Sequence, residues 1–476
     1  MTIPLPHARL RCLPATLLLA LAGTGLPLRA AEPVRAFQPP VQLAPERVGY
    51  HVNFHLRSVA ATADGDFLAQ WTISSPVNGY DGPTYSAFRR AGEGTTWSQA
   101  TSPVEVVQVP NPGLFPTGFA RNAPLAWAGF SINQQASHSR FDIGTATWSP
   151  LETTTYPSWP YKTYAVVNAS GMLVSLWAPA AANTEPRGEP DYGGYALWGR
   201  CRAADGRWSG AVALGSQRRS ADDGYTMLLQ RALNNGSVLV AWKVNAPGGV
   251  IVRSAVWSPN CLRQGFRALP DSPVLSAVDR LISSGSGAML ALQVNRDGTG
   301  LKAVGYSPTQ GWLLPAAVIQ TAPIAAFWDG AIKDTGKWLL AWKNTGSADQ
   351  AGQWAFGGLS TGMTRRGDLP SRDARVQLGL ANRYDQGLLV WQDSLQPSQV
   401  KAVSYRPLAG GMSAPTIVSN GSTGAYDADG TGYALEISMA MAESGAAAIV
   451  WNRWTAIARG ENAGTYASSP WSVVWE

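Results

Sequence analysis

The stretch Gly285–Pro315, GSGAMLALQVNRDGTGLKAVGYSPTQGWLLP, sets out the unit from which most of the chain is built. A short apolar run, Ala288 to Leu292, ends at the polar loop Asn295-Arg296-Asp297-Gly298. A second run, Lys302 to Tyr306, meets a Ser-Pro turn and returns through Gly311-Trp312. Both runs are too short for helices, and Gly, Pro, Asn and Asp bound them as they bound strands. The unit is two hairpins in series. It cannot bury its apolar face alone, so it must stack on copies of itself.

The copies are present. The second run and its turn return as Arg253–Pro259 and Lys401–Pro407. An aromatic closes this strand at Phe88, Phe141, Trp198, Trp257, Tyr306, Phe356, Tyr405 and Tyr466. After the turn come Trp97, Trp148, Trp208, Phe266, Trp312, Met363, Met412 and Trp471. The preceding strand ends in Trp71, Trp127, Trp177, Trp242, Trp342, Trp391 and Trp451, with Gln293 as the exception. Three landmarks in fixed order about every 50 residues match the period of propeller blades. The expectation is an all-β chain: one β-propeller of about eight four-stranded antiparallel blades over residues 50–476. Seven is the alternative count, because Asn122-Ala123-Pro124 replaces the glycine that other repeats place between their first two strands.

The 50 glycines, 33 prolines and 20 tryptophans suit short strands and tight turns. Residues 1–31 read as a cleaved secretory signal: His7, Arg9 and Arg11 precede the apolar run Leu13 to Leu21, and small residues follow. The run is too short to span a bilayer. A secreted or periplasmic location follows. Residues 32–49 form an extended segment able to add an edge strand to the last blade and so close the ring. Without residues 1–31 the 37 basic residues become 34, against 31 acidic ones. So small an excess argues against nucleic acid or an anionic membrane as partner. Cys201 and Cys261 follow the strand-closing aromatics Trp198 and Trp257 by three and four residues. In an exported chain this predicts a disulfide between equivalent turns at the rim of consecutive blades. The other reading is two free thiols.

Asp223-Gly224, Asp329-Gly330 and Asp429-Gly430 each stand near the entry to a repeat. Asp427-Ala428-Asp429-Gly430-Thr431-Gly432 has alternating acids but lacks the distal Glu of a calcium loop, so turn chemistry is the expectation throughout.

The hairpin Phe88-Arg89-Arg90-Ala91-Gly92-Glu93-Gly94-Thr95-Thr96-Trp97 resembles the Asp-box, Ser-x-Asp-x-Gly-x-Thr-Trp, of sialidase-like (BNR-repeat) propellers. Gly94, Thr96 and Trp97 match, while Arg90 and Gly92 replace the Ser and Asp. Asp205-Gly206-Arg207-Trp208 is a more worn copy. The resemblance implies the architecture. Of the activity it implies little, since the Arg-Ile-Pro motif of sialidases is missing from the sequence. Propeller polysaccharide lyases use His and Tyr, which makes Tyr50, His51 and His55 the candidate catalytic residues of an enzyme. Strand positions of ordinary polar residues are the competing reading.

No cofactor is expected, and the few histidines give no metal-ligand spacing. After the repeat tryptophans come Lys243, Asn245, Lys343, Asn344, Gln392, Asp393, Asn452 and Arg453. Lys243, Asn245, Lys343, Asn344, Asp393 and Arg453 define the expected ligand face, whose donors and acceptors beside aromatic rings suit sugar hydroxyls. The sequence is read as a monomeric binding module for a glycan or an extracellular envelope protein. The alternative is a glycan-active enzyme, a sialidase-like hydrolase or a lyase.

Overall fold

A glycine in the left-handed region recurs where a first strand turns into a second. Gly65, Gly171, Gly236, Gly287, Gly336 and Gly445 have φ between +77° and +106°. In five of these hairpins the glycine N–H donates to the carbonyl three residues back, as Gly336 does to Lys333 at 2.8 Å. That backbone conformation is open to glycine and strained for other residues. It sets the register of the second strand, and a slip of one residue would turn every side chain to the opposite face.

The computed structural model describes residues 35–50, 54–74, 81–98, 113–115, 125–132, 135–142, 144–148, 152–155, 160–168, 170–179, 195–217, 227–294, 300–345, 352–369, 376–380, 385–392, 399–407, 411–419, 437–456 and 465–476. Among them are eight antiparallel sheets, numbered here in chain order. The fourth is typical: Met227–Ala232, Val238–Ala246, Gly249–Trp257 and Phe266–Ala268 pair in sequence order. The fifth spans Arg280–Gln320, the sixth Ile324–Leu369 and the seventh Gln377–Ile417. The described helix, Cys261–Gln264, is one turn long. First strands of successive sheets lie side by side from the third to the eighth, and the first strand of the first sheet, Phe54–Ala61, lies beside Ile437–Met441 of the eighth. Meandering sheets packed face to face about adjacent first strands are the arrangement of a β-propeller.

The core lies between sheets. The second-strand tryptophans Trp71, Trp177, Trp342 and Trp391 are at most 1% exposed. Gln293, the exception, is also buried, and its Oε1 accepts from Ser276 Oγ at 3.3 Å. It packs; it does not face solvent.

A second layer of packing comes from a cross-strand pair on the third and fourth strands. Trp257 pairs with Phe266, Tyr306 with Trp312, and Tyr405 with Met412. Each pair lies on the preceding sheet. Tyr306 and Trp312 pack with Leu239 and Val252 of the fourth sheet, and Trp312 Nε1 donates to Pro270 O at 3.1 Å.

Register corrects several sequence landmarks. In the sixth sheet the paired position holds Gly357 opposite Met363, and Phe356 points to the other face, where its ring lies 4.9 Å from that of Tyr405. In the eighth, Trp475 pairs with Phe37, while Trp471 sits mid-strand opposite Trp451. In the first it is Arg89, not Phe88, that lies opposite Phe67. Arg89 is fully buried and bonds Glu476 Oε1 at 2.6 Å. In the third, Arg202 bridges Trp208, and Trp198 instead lies opposite Trp177.

Val41–Gln42 and Arg47–Tyr50 both pair antiparallel to Thr465–Trp475, placing the two distant stretches in the eighth sheet. Cys201 and Cys261 are bonded, with Cα atoms 6.2 Å apart. They do not occupy equivalent turns: Cys201 lies within the strand Tyr195–Arg202, and Cys261 opens the short helix after the following sheet's third strand. Both are buried in the core between the third and fourth sheets, not at a rim.

Candidate functional site

Each meander has two ends. First-to-second hairpins lie at one end and second-to-third hairpins at the other, where the expected ligand residues fall. Lys243 pairs with Val252 and is half-buried, and Asn245 is exposed further along the same hairpin. Lys343 and Asn344 end the strand Lys337–Asn344, both half-buried. Asn344 Oδ1 accepts from Trp342 Nε1 at 3.1 Å, fixing the carboxamide at the strand end. The Arg453 guanidinium lies 5.6 Å from the centre of the Trp471 ring. These residues are spread over the fourth, sixth and eighth sheets. Asp393 and His51 lie outside the described residues. Tyr50 and His55 occupy strand positions opposite Thr465 and Thr72.

Asp223-Gly224 and Asp427 to Gly432 also fall outside the described residues. Asp329-Gly330 is not a turn: it lies inside the strand Ile324–Ile332, at a register shift between Phe327 and Asp329. Asp329 Oδ2 accepts from Leu378 N of the seventh sheet at 2.8 Å. Protein packs densely around the carboxyl, yet the residue keeps partial access to solvent. Burial pushes its pKa up to about 6, against the N–H groups of Leu378 and Gly330 and the charge of Arg280.

The hairpin end of the same junction, beyond Ile332, holds a polar cluster absent from the sequence reading. Asp385 takes the place of the hairpin glycine, with φ 57°. Its Oδ1 accepts from Lys333 Nζ, and its Oδ2 from Lys337 Nζ at 2.5 Å. Burial would raise the Asp385 carboxyl, but the hydrogen bonds and charges of the two lysines prevail and hold it below its usual value. Burial likewise pushes Tyr405 up to about 12, with Arg365 opposing and Asp385 reinforcing the shift. The signal was present in the sequence as a missing glycine. Among the described residues no group of three or more His, Cys, Asp or Glu is placed to hold a metal ion, and no helix is long and apolar enough to cross a membrane.

No family model matches the sequence, and no curated protein does. Among solved structures the chain is similar to the Dos1 propeller, with 10% identity, TM-score 0.49, and 92% of this chain and 95% of that one covered. It is also similar to the β-propeller domain of the Trilobed protease from Pyrococcus furiosus, with 6% identity, TM-score 0.45, and coverage of 78% and 97%. For the Pyrococcus horikoshii acylaminoacyl peptidase the values are 8%, 0.48, and 86% and 59%. The chain thus spans 59% of that peptidase's length.

Proposed function

We propose that this chain is an exported propeller that binds an extracellular glycan through the face carrying Lys243, Asn245, Lys343, Asn344, Asp393 and Arg453. In this reading the eight sheets are eight blades of one ring, a sialidase-like propeller in architecture, closed where residues 41–50 join the last blade. Residues 1–31 direct export. The observation that carries the proposal is the Trp342–Lys343–Asn344 strand end. There a carboxamide is held by the indole N–H at 3.1 Å, next to a half-buried ammonium. Fixed amide and cationic groups beside aromatic rings recognise sugar hydroxyls and carboxylates, because little rotamer freedom remains to be lost on binding.

Calorimetric titration with neutral and uronate-containing oligosaccharides tests this. Saturable binding to one class is expected, weakened at least tenfold by Lys343→Ala with Asn344→Ala. An absence of binding to either class would overturn the glycan reading and leave an envelope protein as ligand. Release of reducing sugar or unsaturated uronate during the incubation would replace the binding module by an enzyme.

A further inference from the structure

The first strands carry a polar level that packing does not require. Opposite the residue that precedes each second-strand landmark (Trp, or Gln293 in the fifth sheet) stand Ser58, Tyr164, Arg280, Asp329, Gln377 and Ser438. The fourth sheet has Leu229 at this level. All of these first-strand residues keep access to solvent, whereas the second-strand residues paired with them are at most 1% exposed. A register shift falls beside this level in the first, fourth and sixth sheets. Such bulges re-aim a side chain and are common next to active sites. The first strands of the fifth, sixth and seventh sheets lie side by side, so Arg280, Asp329 and Gln377 form part of one row.

Two neighbours in that row carry opposite charge and do not neutralise each other. The Arg280 guanidinium is exposed and makes no hydrogen bond or ion pair with the described residues. The Asp329 carboxyl reaches the other way, to Leu378 N of the seventh sheet. The charge of Arg280 is the weakest of the influences upon it, and burial prevails. A simple anion would suit Arg280 and be repelled by Asp329, and a simple cation would do the reverse. A ligand with both charges suits both residues: its carboxylate fits the guanidinium fork, and its ammonium supplies the charged donor that Asp329 lacks.

We infer that Arg280 and Asp329, on adjacent first strands, form a binding site for a small zwitterion, an amino acid whose carboxylate meets Arg280 and whose ammonium meets Asp329. Lys243, Lys343, Asn344 and Arg453 of the glycan reading belong to second strands, so either conclusion can fail without the other.

Calorimetric titration of the full oxidised chain at pH 7 tests this with glycine, β-alanine and γ-aminobutyrate, and with acetate and methylamine as single-charge controls. One of the three amino acids is expected to bind saturably and best, because the separation of the two protein charges selects a length. Acetate and methylamine are expected to bind at least tenfold more weakly. Arg280→Gln and Asp329→Asn should each weaken the best amino acid at least tenfold. Arg280→Gln removes no hydrogen bond within the described residues, and Asp329→Asn keeps a side-chain oxygen for Leu378 N, so both should fold. Should Asp329→Asn not fold, Arg280→Gln decides. Saturable binding by none of the amino acids overturns the inference, as does undiminished binding to a folded variant. Acetate binding as tightly as the best amino acid also overturns it, leaving an anion contact at Arg280.

Discussion

Two aspartates tie the sixth sheet to the seventh, and their surroundings move their charges in opposite directions. Asp329 sits on a first strand among packed protein atoms and receives backbone N–H donors, which do not offset its burial. Asp385 sits at the hairpin end, and two lysines of the sixth sheet meet its carboxylate. The comparison shows that burial alone does not set the charge state of a junction: what matters is whether the donors opposite carry charge. It also explains why a non-glycine residue occupies a left-handed position. A short polar side chain tolerates αL, and here its carboxylate neutralises Lys333, which is only 5% exposed.

Three measurements break or sharpen this contrast. The largest effect belongs to a junction that depends on neither carboxylate, that of the third and fourth sheets, where the disulfide spans 60 residues of sequence. Cys201→Ser with Cys261→Ser is expected to lower the unfolding free energy by about 4 kcal/mol, by the loop-entropy relation. Urea unfolding checks it, and the loss should be the same at pH 5 and pH 7.

Next comes Asp385→Asn, which leaves the buried Lys333 ammonium without its counter-charge. A loss of about 3 kcal/mol at pH 7 is expected, since breaking a buried pair leaves one ion uncompensated. Adding Lys333→Met should restore at least half of that loss. The Asp385 carboxyl titrates below its ordinary value when folded, so its contribution is complete above about pH 4 and disappears as pH falls through the lowered value. If Asp385→Asn left stability unchanged at pH 7, the paired cluster would have no energetic role.

The smallest effect, of opposite sign, belongs to Asp329. Its folded carboxyl is raised to about 6, so the stability it contributes is complete below about pH 4 and is lost as pH rises through about 6. Asp329→Asn should flatten the fall in unfolding temperature between those values. A slope that persisted in the variant would assign it to another group.

The repeat and its punctuation were legible in the sequence because both are local. The second-strand tryptophans recur in register, and the hairpin glycines are fixed by a backbone angle. Third-strand landmarks misled because neighbouring residues in a strand face opposite sheets: Phe356 is aromatic but points to the seventh sheet, while Gly357 holds the position that matters. Asp329-Gly330 has the composition of a turn and lies in a strand, since composition does not reveal a register shift. The residues proposed as a ligand face were chosen as polar types at strand ends; that those described stand on the fourth, sixth and eighth sheets follows from the strand pairing and not from their types. The Asp385 cluster joins residues 48 and 52 positions apart and has no local signature beyond the absent glycine.

The mixed origin of the eighth sheet bears on the order in which the chain acquires structure. Seven sheets are assembled from neighbouring hairpins, contacts that form early because little chain must be searched. The eighth joins Val41 to Ser472, and Phe54 N reaches Ser468 Oγ across 414 residues. Loop entropy grows only logarithmically with length, so so long a connection adds little to the equilibrium balance. Its penalty is kinetic. Among the described residues, the pairing of residues 36–50 with 465–476 joins the most widely separated stretches, and contacts of such high sequence separation slow folding more than they cost at equilibrium.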